Sequence, residues 1–274
     1  MIAIVTDSTS YMTKREAQEM GIRIVPITYY ALGRMYLETY ADLNGDFVTL
    51  LKQNNGKCQT SQPGIGVFMS TFDELLRQGF DVLCLTISSR LSGTYSSASI
   101  AAKEIGDKKI RVVDSLTTAG GLYMLIKEAK KMAEQNMEVG QIASEIERLR
   151  EKIAIVFSVD DMTPLRKSGR LGIVRQSVGT ILNRKPLLLC EGGSIVSDGV
   201  ARGRIDQIKQ LIVKMPYQTK NAVVHFIEES ETAKRVADEI RRQRLSETVE
   251  LRPLGPVLGI HLGTGVIGVA WMEK

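Results

Sequence analysis

Through the first 150 residues, short β-branched and aliphatic runs alternate with helical segments, and the runs end in hydroxyl-rich loops. Residues 2–6, 81–87 and 110–113 are the clearest runs. Residues 13–20, 46–52, 63–77, 91–105, 117–135 and 139–150 read as helices, the last with apolar positions at Val139, Ile142, Ile146 and Leu149. Strands joined by helices give a parallel sheet with helices on both faces. The expectation is therefore an N-terminal three-layer α/β/α domain over residues 1–150. Residues 22–29 read as one further β-rich run, and 33–42 as a polar turn region.

Beyond residue 150 the pattern changes. Residues 153–159 read as a strand, and 166–182 as helical or irregular. Residues 186–190 and 194–200 flank Glu191-Gly192-Gly193, a hairpin signal. A helix at 205–214, a strand at 221–227, a helix at 231–242 and strands at 249–253 and 266–272 follow. Hairpins mixed with helices point to a C-terminal mixed-sheet α/β domain over residues 151–274.

At 43% apolar and 24% charged residues, the 274-residue chain can bury real cores and is not a disordered composition. No apolar run approaches the ~18–20 residues of a membrane span, though transient contact with a membrane surface is left open. The start, MIAIVTDSTS, lacks the basic region of a signal peptide. Cys58, Cys84 and Cys190 fit no zinc spacing and leave one thiol over in any disulfide scheme, which points to reduced thiols in a cytoplasmic protein. Two histidines exclude a multi-histidine metal site.

Net charge is +5, and residues 166–204 alone hold eight cations against two anions. Such a stretch is either a solvated face or a docking surface for something acidic. With 5% aromatics and no nucleic-acid-binding pattern, nucleic acid is not an expected partner.

The loops carry the chemistry. They are Thr6-Asp7-Ser8-Thr9-Ser10, Ser88-Ser89-Arg90-Leu91-Ser92-Gly93-Thr94, Asp114-Ser115-Leu116-Thr117-Thr118 and the pair Thr60-Ser61. Open parallel sheets bind ligands at the carboxyl ends of their strands. Pro63 suits the first turn of a helix, which puts Thr60 or Ser61 near an N-cap, and Ser92 precedes another helix start. Free N–H groups and the helix dipole favour an anion there. The hydroxyls either donate to that anion or cap their own helices.

No phosphate-binding P-loop is present. The GxGxxG at residues 263–268 is followed by only six residues, so it reads as a turn into the last strand. His261, beside it, is either a turn or core histidine or a donor to the same anion. The enzymatic alternative pairs Ser92 as nucleophile with His261 as base, but no GxSxG elbow surrounds any serine.

In series, Thr6-Asp7-Ser8-Thr9, Thr60-Ser61-Gln62-Pro63, Ser88 to Tyr95, Asp114-Ser115, Gly169-Arg170, Lys185-Pro186 and His261-Leu262-Gly263-Thr264-Gly265 resemble the DegV family of bacterial fatty-acid-binding proteins. That family includes the fatty-acid-carrying subunit of fatty acid kinase. The chain departs from the family's common pattern at Gly64, often Ser, and at Thr264, often Pro. The resemblance implies two α/β domains with a long-chain acyl group, such as palmitate, buried between them and no other cofactor. It implies Ser61 and Ser92 on the carboxylate, Thr60 and His261 beside them, and Thr264, Gly93 and Thr94 as further headgroup neighbours. Arg170 and Arg202 match positions linked to a kinase partner or the acyl-phosphate product. The carrier would then do no bond chemistry; a separate kinase would phosphorylate the carboxylate for phospholipid synthesis. A stand-alone serine hydrolase or dihydroxyacetone-kinase-like phosphotransferase is the alternative.

The energetics allow a carrier. About 14 methylenes at ~0.8 kcal/mol each supply roughly 11 kcal/mol of gross burial, less an association cost of several kcal/mol. A buried carboxylate also needs hydrogen bonds to its charged form. Hydroxyls and helix-start amides form an uncharged cradle that meets this need. Ile27, Phe68, Val156 and Ile267 are candidates for the tail pocket.

Overall fold

The structure is a computed structural model that describes residues 1–54, 57–172 and 184–274. Four parallel strands form the first sheet, in the order β2 (Ile22–Val25), β1 (Ile2–Asp7), β6 (Asp81–Thr86) and β7 (Ile110–Asp114). β1 and β6 are central and almost wholly buried, which is why they read as continuous apolar runs. α1 (Lys14–Met20) links β1 to β2. Its capping box pairs Thr13 with Glu16, and Gly21 closes it in the left-handed region at φ 64°.

Alternate side chains of this sheet enter different layers. Ala3, Val5, Val82 and Cys84 pack on α3 (Ile65–Arg77) and α4 (Thr94–Ile105) through Phe68, Phe72, Ala98 and Ala101. Ile4, Leu83 and Leu85 face α5 (Ala119–Glu134) and α6 (Val139–Leu149). This is the expected three-layer arrangement.

The second sheet runs β10 (Ser194–Arg202), β9 (Arg184–Glu191), β8 (Ile153–Ser158), β13 (Ile267–Met272), β11 (Thr219–Phe226) and β12 (Ser246–Pro253). Only β11 and β12 pair in parallel, so it is the mixed sheet that the hairpin signals predict. The β9–β10 turn takes positive φ at Gly192 and Gly193, as a tight hairpin requires. Its tip returns to the first sheet: Ser88 Oγ donates to the Gly193 carbonyl at 2.7 Å. α8 (Gly203–Ile212) and α9 (Ser230–Arg242) cover the outer face.

The inner face meets α5, whose Gly120-Gly121 pair lets the backbone come close. A Cβ at Gly120 would lie 2.6 Å from His225 Nε2 and 3.0 Å from Ala270 Cβ. One helix is thus shared by both sheets, and the core cluster runs from Ile4 through Leu125 to Val223 and Met272 without a break. Arg252 adds a polar tie, pairing with Glu16 and lying 3.6 Å from the centre of the Tyr123 ring.

Several local expectations are corrected. The run at 22–29 is two strands in two sheets, because Pro26 has no N–H to continue β2; β3 (Ile27–Ala31) follows it. The polar region at 33–42 contains β4 (Arg34–Glu38). Thr60 and Ser61 lie on β5 (Gln59–Ser61), so neither caps α3; its N-cap is Gly64. These strands form a small antiparallel sheet, β4-β3-β5. α2 (Phe47–Gln53) and α7 (Thr163–Ser168) are short, and α10 (Pro256–Leu262) was not expected at all. Arg175 and residues 173–183 lie outside the described residues.

Candidate ligand-binding site

Two small cavities adjoin where the sheets meet. Leu91, Ile195, Leu258 and Leu262 form a wall common to both. Each encloses about 50 Å3, room for only a few water molecules. The first also has Thr60, Gln62, Ser92, Arg170 and His261 in its lining. The second is almost entirely apolar, with Ala119, Ile155, Phe157 and Leu254 around it.

Distant segments supply the polar wall. β5 presents Thr60 inward in the row with Tyr29, and α10 presents His261; Thr60 Oγ1 and His261 Nε2 are 2.8 Å apart. His261 Nδ1 is buried and has no partner among the described residues. Burial and then the positive charge of Arg170 push the imidazole pKa down to about 4, so the ring is neutral at pH 7. When Thr60 donates to Nε2, Nδ1 carries the hydrogen and becomes a buried donor.

Arg170 follows α7, which ends at Gly169 in the left-handed region. Its Nε donates to the Leu91 carbonyl at 3.3 Å and its Nη1 to the Ser168 carbonyl at 2.5 Å. Ser92 Oγ is 2.9 Å from Thr94 Oγ1 and accepts from the Thr94 N–H at 3.3 Å. Ser92 and His261 therefore direct their hydrogen bonds to other partners, not to each other. Gly93 caps α4 without a side chain, and a Cβ there would fall 2.3 Å from Gln62 Nε2. The Gln62 amide lies across this helix start.

The structure brings four expected residues together: Thr60, Ser92, Arg170 and His261. Gly93 and Thr94 stand next to them. Ser61 is exposed, because adjacent strand residues face opposite ways; it shares its row with Thr28 and Leu37 on the outer side of the small sheet. The Thr264 carbonyl accepts from the Glu228 N–H at 3.1 Å, outside the cavity lining. Arg202 is exposed, seven residues along β10 from Ile195, roughly 23 Å away in an extended strand. Of the tail candidates, Ile27 lines the first cavity. Phe68, on α3, packs against the first sheet, and Val156 and Ile267 face the core beneath α8 and α9. The cradle is also not uncharged, since Arg170 is in its wall.

Two contributors are absent from the expected site residues, although Gln62 belongs to the Thr60-Ser61-Gln62-Pro63 motif. One is Gln62. The other is Glu38 of β4, whose Oε2 accepts from the Val257 N–H at 2.9 Å while Oε1 accepts from Ser8 Oγ at 2.9 Å. This carboxyl fixes the start of α10, and burial pushes its pKa up to about 7. The Tyr11 hydroxyl accepts from the Leu258 N–H at 3.2 Å, bracing the same turn.

Outside the polar wall lies an open groove of about 600 Å3, flanked by Gln59, Asp161, Thr163 and Lys167. Thr60, Arg170 and His261 border both groove and inner cavity, so they are the partition between them. The basic stretch is divided: Lys167 and Arg170 reach the groove, whereas Lys185 pairs with Asp160 at 2.5 Å and Arg204 with Glu229 at 2.7 Å.

A family model described as "Uncharacterised protein, DegV family" matches residues 1–274. The chain belongs to the DegV family. A DegV domain-containing protein of Halalkalibacterium halodurans is 32% identical, over all of this chain and 99% of its own length. The DegV-family fatty-acid-binding structure from Thermus thermophilus superposes with a TM-score of 0.86 at 28% identity, covering 100% of this chain and 99% of that one. DegV from Bacillus subtilis, a fatty-acid-binding protein, gives 0.84 at 27% identity with the same coverage. DegV proteins thus bind fatty acids on this fold. Among the described residues no three His, Cys, Asp or Glu side chains converge as a metal site, and no helix is long and apolar enough to cross a membrane. The three cysteines of this DegV chain are free thiols.

Proposed function

We propose that the chain carries a long-chain fatty acid in the cytoplasm, held between two lobes at residues 1–150 and 151–274. The carboxylate meets Thr60, Ser92, Arg170 and His261, and the tail runs past the leucine wall into the apolar chamber. The observation that carries this reading is a buried His261 Nδ1, without a partner among the described residues, on the polar wall of a cavity that adjoins an apolar one. A carboxylate satisfies the first and an acyl chain the second. Since each cavity is only about 50 Å3, loading displaces Leu258, Leu262 and Ile195 from their resting positions.

The carrier leaves the chemistry to a partner. An ATP-dependent kinase docking at the outer groove would reach the carboxylate through the Thr60–Arg170–His261 partition and form an acyl phosphate for phospholipid synthesis. Lys167 and Arg170 give that groove the positive charge that a phosphoryl group being transferred calls for.

Mass spectrometry of organic extracts from the purified protein tests the carrier role; recovery of long-chain fatty acid is expected, and ligand-free protein that fails to take up added palmitate would end it. The handover is tested separately by adding loaded protein and ATP to lysate and trapping acyl phosphate with hydroxylamine. Hydroxamate that depends on the loaded protein is expected.

A further inference from the structure

The loop Thr6-Asp7-Ser8-Thr9-Ser10 has the hydroxyls and the strand-end position of a ligand loop, yet it is wholly buried and stands outside the lining of the polar cavity. Its polar atoms turn to the backbone instead. Asp7 Oδ2 accepts from the Ile87 N–H at 2.7 Å, and Ser8 Oγ from the Ile27 N–H at 3.4 Å. Ser8 Oγ in turn donates to Glu38 Oε1, and Glu38 Oε2 accepts from the Val257 N–H, both at 2.9 Å. The Tyr11 hydroxyl takes the next one, the Leu258 N–H, at 3.2 Å.

The four N–H groups belong to Ile27, Ile87, Val257 and Leu258, and all four residues line the polar cavity. Each stands at the end of an element: Ile27 opens β3, Ile87 follows β6, and Val257 and Leu258 lie in the first turn of α10, where N–H groups have no partner within the helix. The four side chains behind them, Asp7, Ser8, Tyr11 and Glu38, are each no more than 1% exposed, so water does not substitute for them. Gly255, the N-cap of α10, lets the chain reach the carboxyl, since a Cβ there would fall 2.4 Å from Glu38 Oε2. His261 and Leu262 follow Val257 and Leu258 by one helical turn, so the anchoring of that first turn sets where they point.

We infer that Asp7, Ser8, Tyr11 and Glu38 are positioning residues for the ligand site: they fix the backbone of its wall from behind, and Glu38 sets where α10 presents His261 to a bound carboxylate. The ligand in this inference is that of the fatty-acid reading above.

Palmitate affinity of delipidated protein and the imidazole nitrogen NMR signals of ligand-free His261 test it together. Glu38→Leu keeps the bulk and removes the acceptor. It is expected to weaken palmitate about tenfold, the effect of one lost anchoring hydrogen bond, and to move the His261 signals. Glu38→Gln, which retains an acceptor for the Val257 N–H, should restore both. Gly255→Ala, whose Cβ displaces the Glu38 carboxyl, should reproduce Glu38→Leu from the other side. The His225 ring is the internal reference, and its signals should stay in place. A purely structural role lowers the denaturation midpoint but leaves the affinity of the folded protein and the His261 signals unchanged. That result in both Glu38→Leu and Gly255→Ala overturns the inference; should Glu38→Leu not fold, Gly255→Ala and Ser8→Ala decide it by the same readings. If the wild type binds no palmitate, the carrier reading falls, and the His261 signals still decide the positioning.

Discussion

The chain has two histidines, and they occupy opposite ends of the seam. His261 sits in the polar partition with Thr60 at 2.8 Å and Arg170 beside it; His225 sits in the apolar chamber, anchored to a backbone carbonyl. Both rings are pushed to about 4 by burial, so the charge states are alike. The surroundings differ: His261 stands in a wall with Thr60, Ser92 and Arg170, and His225 in one that is almost entirely apolar. The two ends of the seam therefore differ in what surrounds an imidazole and not in its protonation.

The largest expected effect concerns pH. A histidine at about 4 when folded and 6.5 when unfolded contributes stability that is full above 6.5 and lost as pH falls toward 4, because the unfolded chain takes up the proton first. For His225 this is on the order of 3 kcal/mol, and for half-buried His261 somewhat less. Glu38, raised from 4.5 to about 7, acts the other way: its contribution is full below 4.5 and lost as pH rises through 7. Urea unfolding between pH 4 and 7 should show His225→Leu flattening the profile and Glu38→Gln steepening it. Bound fatty acid should remove only the His261 share, since a carboxylate raises that pKa. Identical profiles for all three proteins would break the comparison.

Next come the headgroup contacts. His261→Ala or Arg170→Met should weaken palmitate binding by roughly ten- to a hundredfold, the range for hydrogen bonds to a charged group. His225→Leu, in the apolar wall, should change palmitate affinity less than either, and isothermal titration separates the two ends. Gly120→Ala sharpens the role of the shared helix. Its Cβ meets His225 and Ala270 at 3.0 Å or less, and overpacking of about 1–3 kcal/mol exceeds the helical gain of up to ~1 kcal/mol. A fall in denaturation midpoint is expected. Smallest are Ser61→Ala, which should cost less than Thr60→Val, and Arg202→Ala, which should leave palmitate affinity within about twofold because its side chain is exposed and remote.

How far the sequence reveals this molecule depends on the range of the interactions. β1 and β6 are buried on both faces, so unbroken aliphatic runs announce them, and Gly192-Gly193 announces its own turn. β4 is short, and its Met35 and Leu37 are exposed, so Arg34 to Glu38 lacks the alternation of a half-buried strand. α10 has a glycine at mid-length and owes its start to Glu38, more than two hundred residues earlier, a partner that no local pattern reveals. The site divides in the same way. Thr60, Ser92, Arg170 and His261 belong to motifs that can be read in series. The inward turn of Thr60 and outward turn of Ser61 depend on the register of β5 against β3, which is fixed by tertiary pairing.

The smallness of the two cavities has a consequence for what the seam exposes. A receptor that kept a palmitate-sized void open in water would present a greasy mouth to every passing membrane and neighbour. Here Leu91, Leu258 and Leu262 wall off two small cavities in place of such a void, and the seam shows no wide apolar opening.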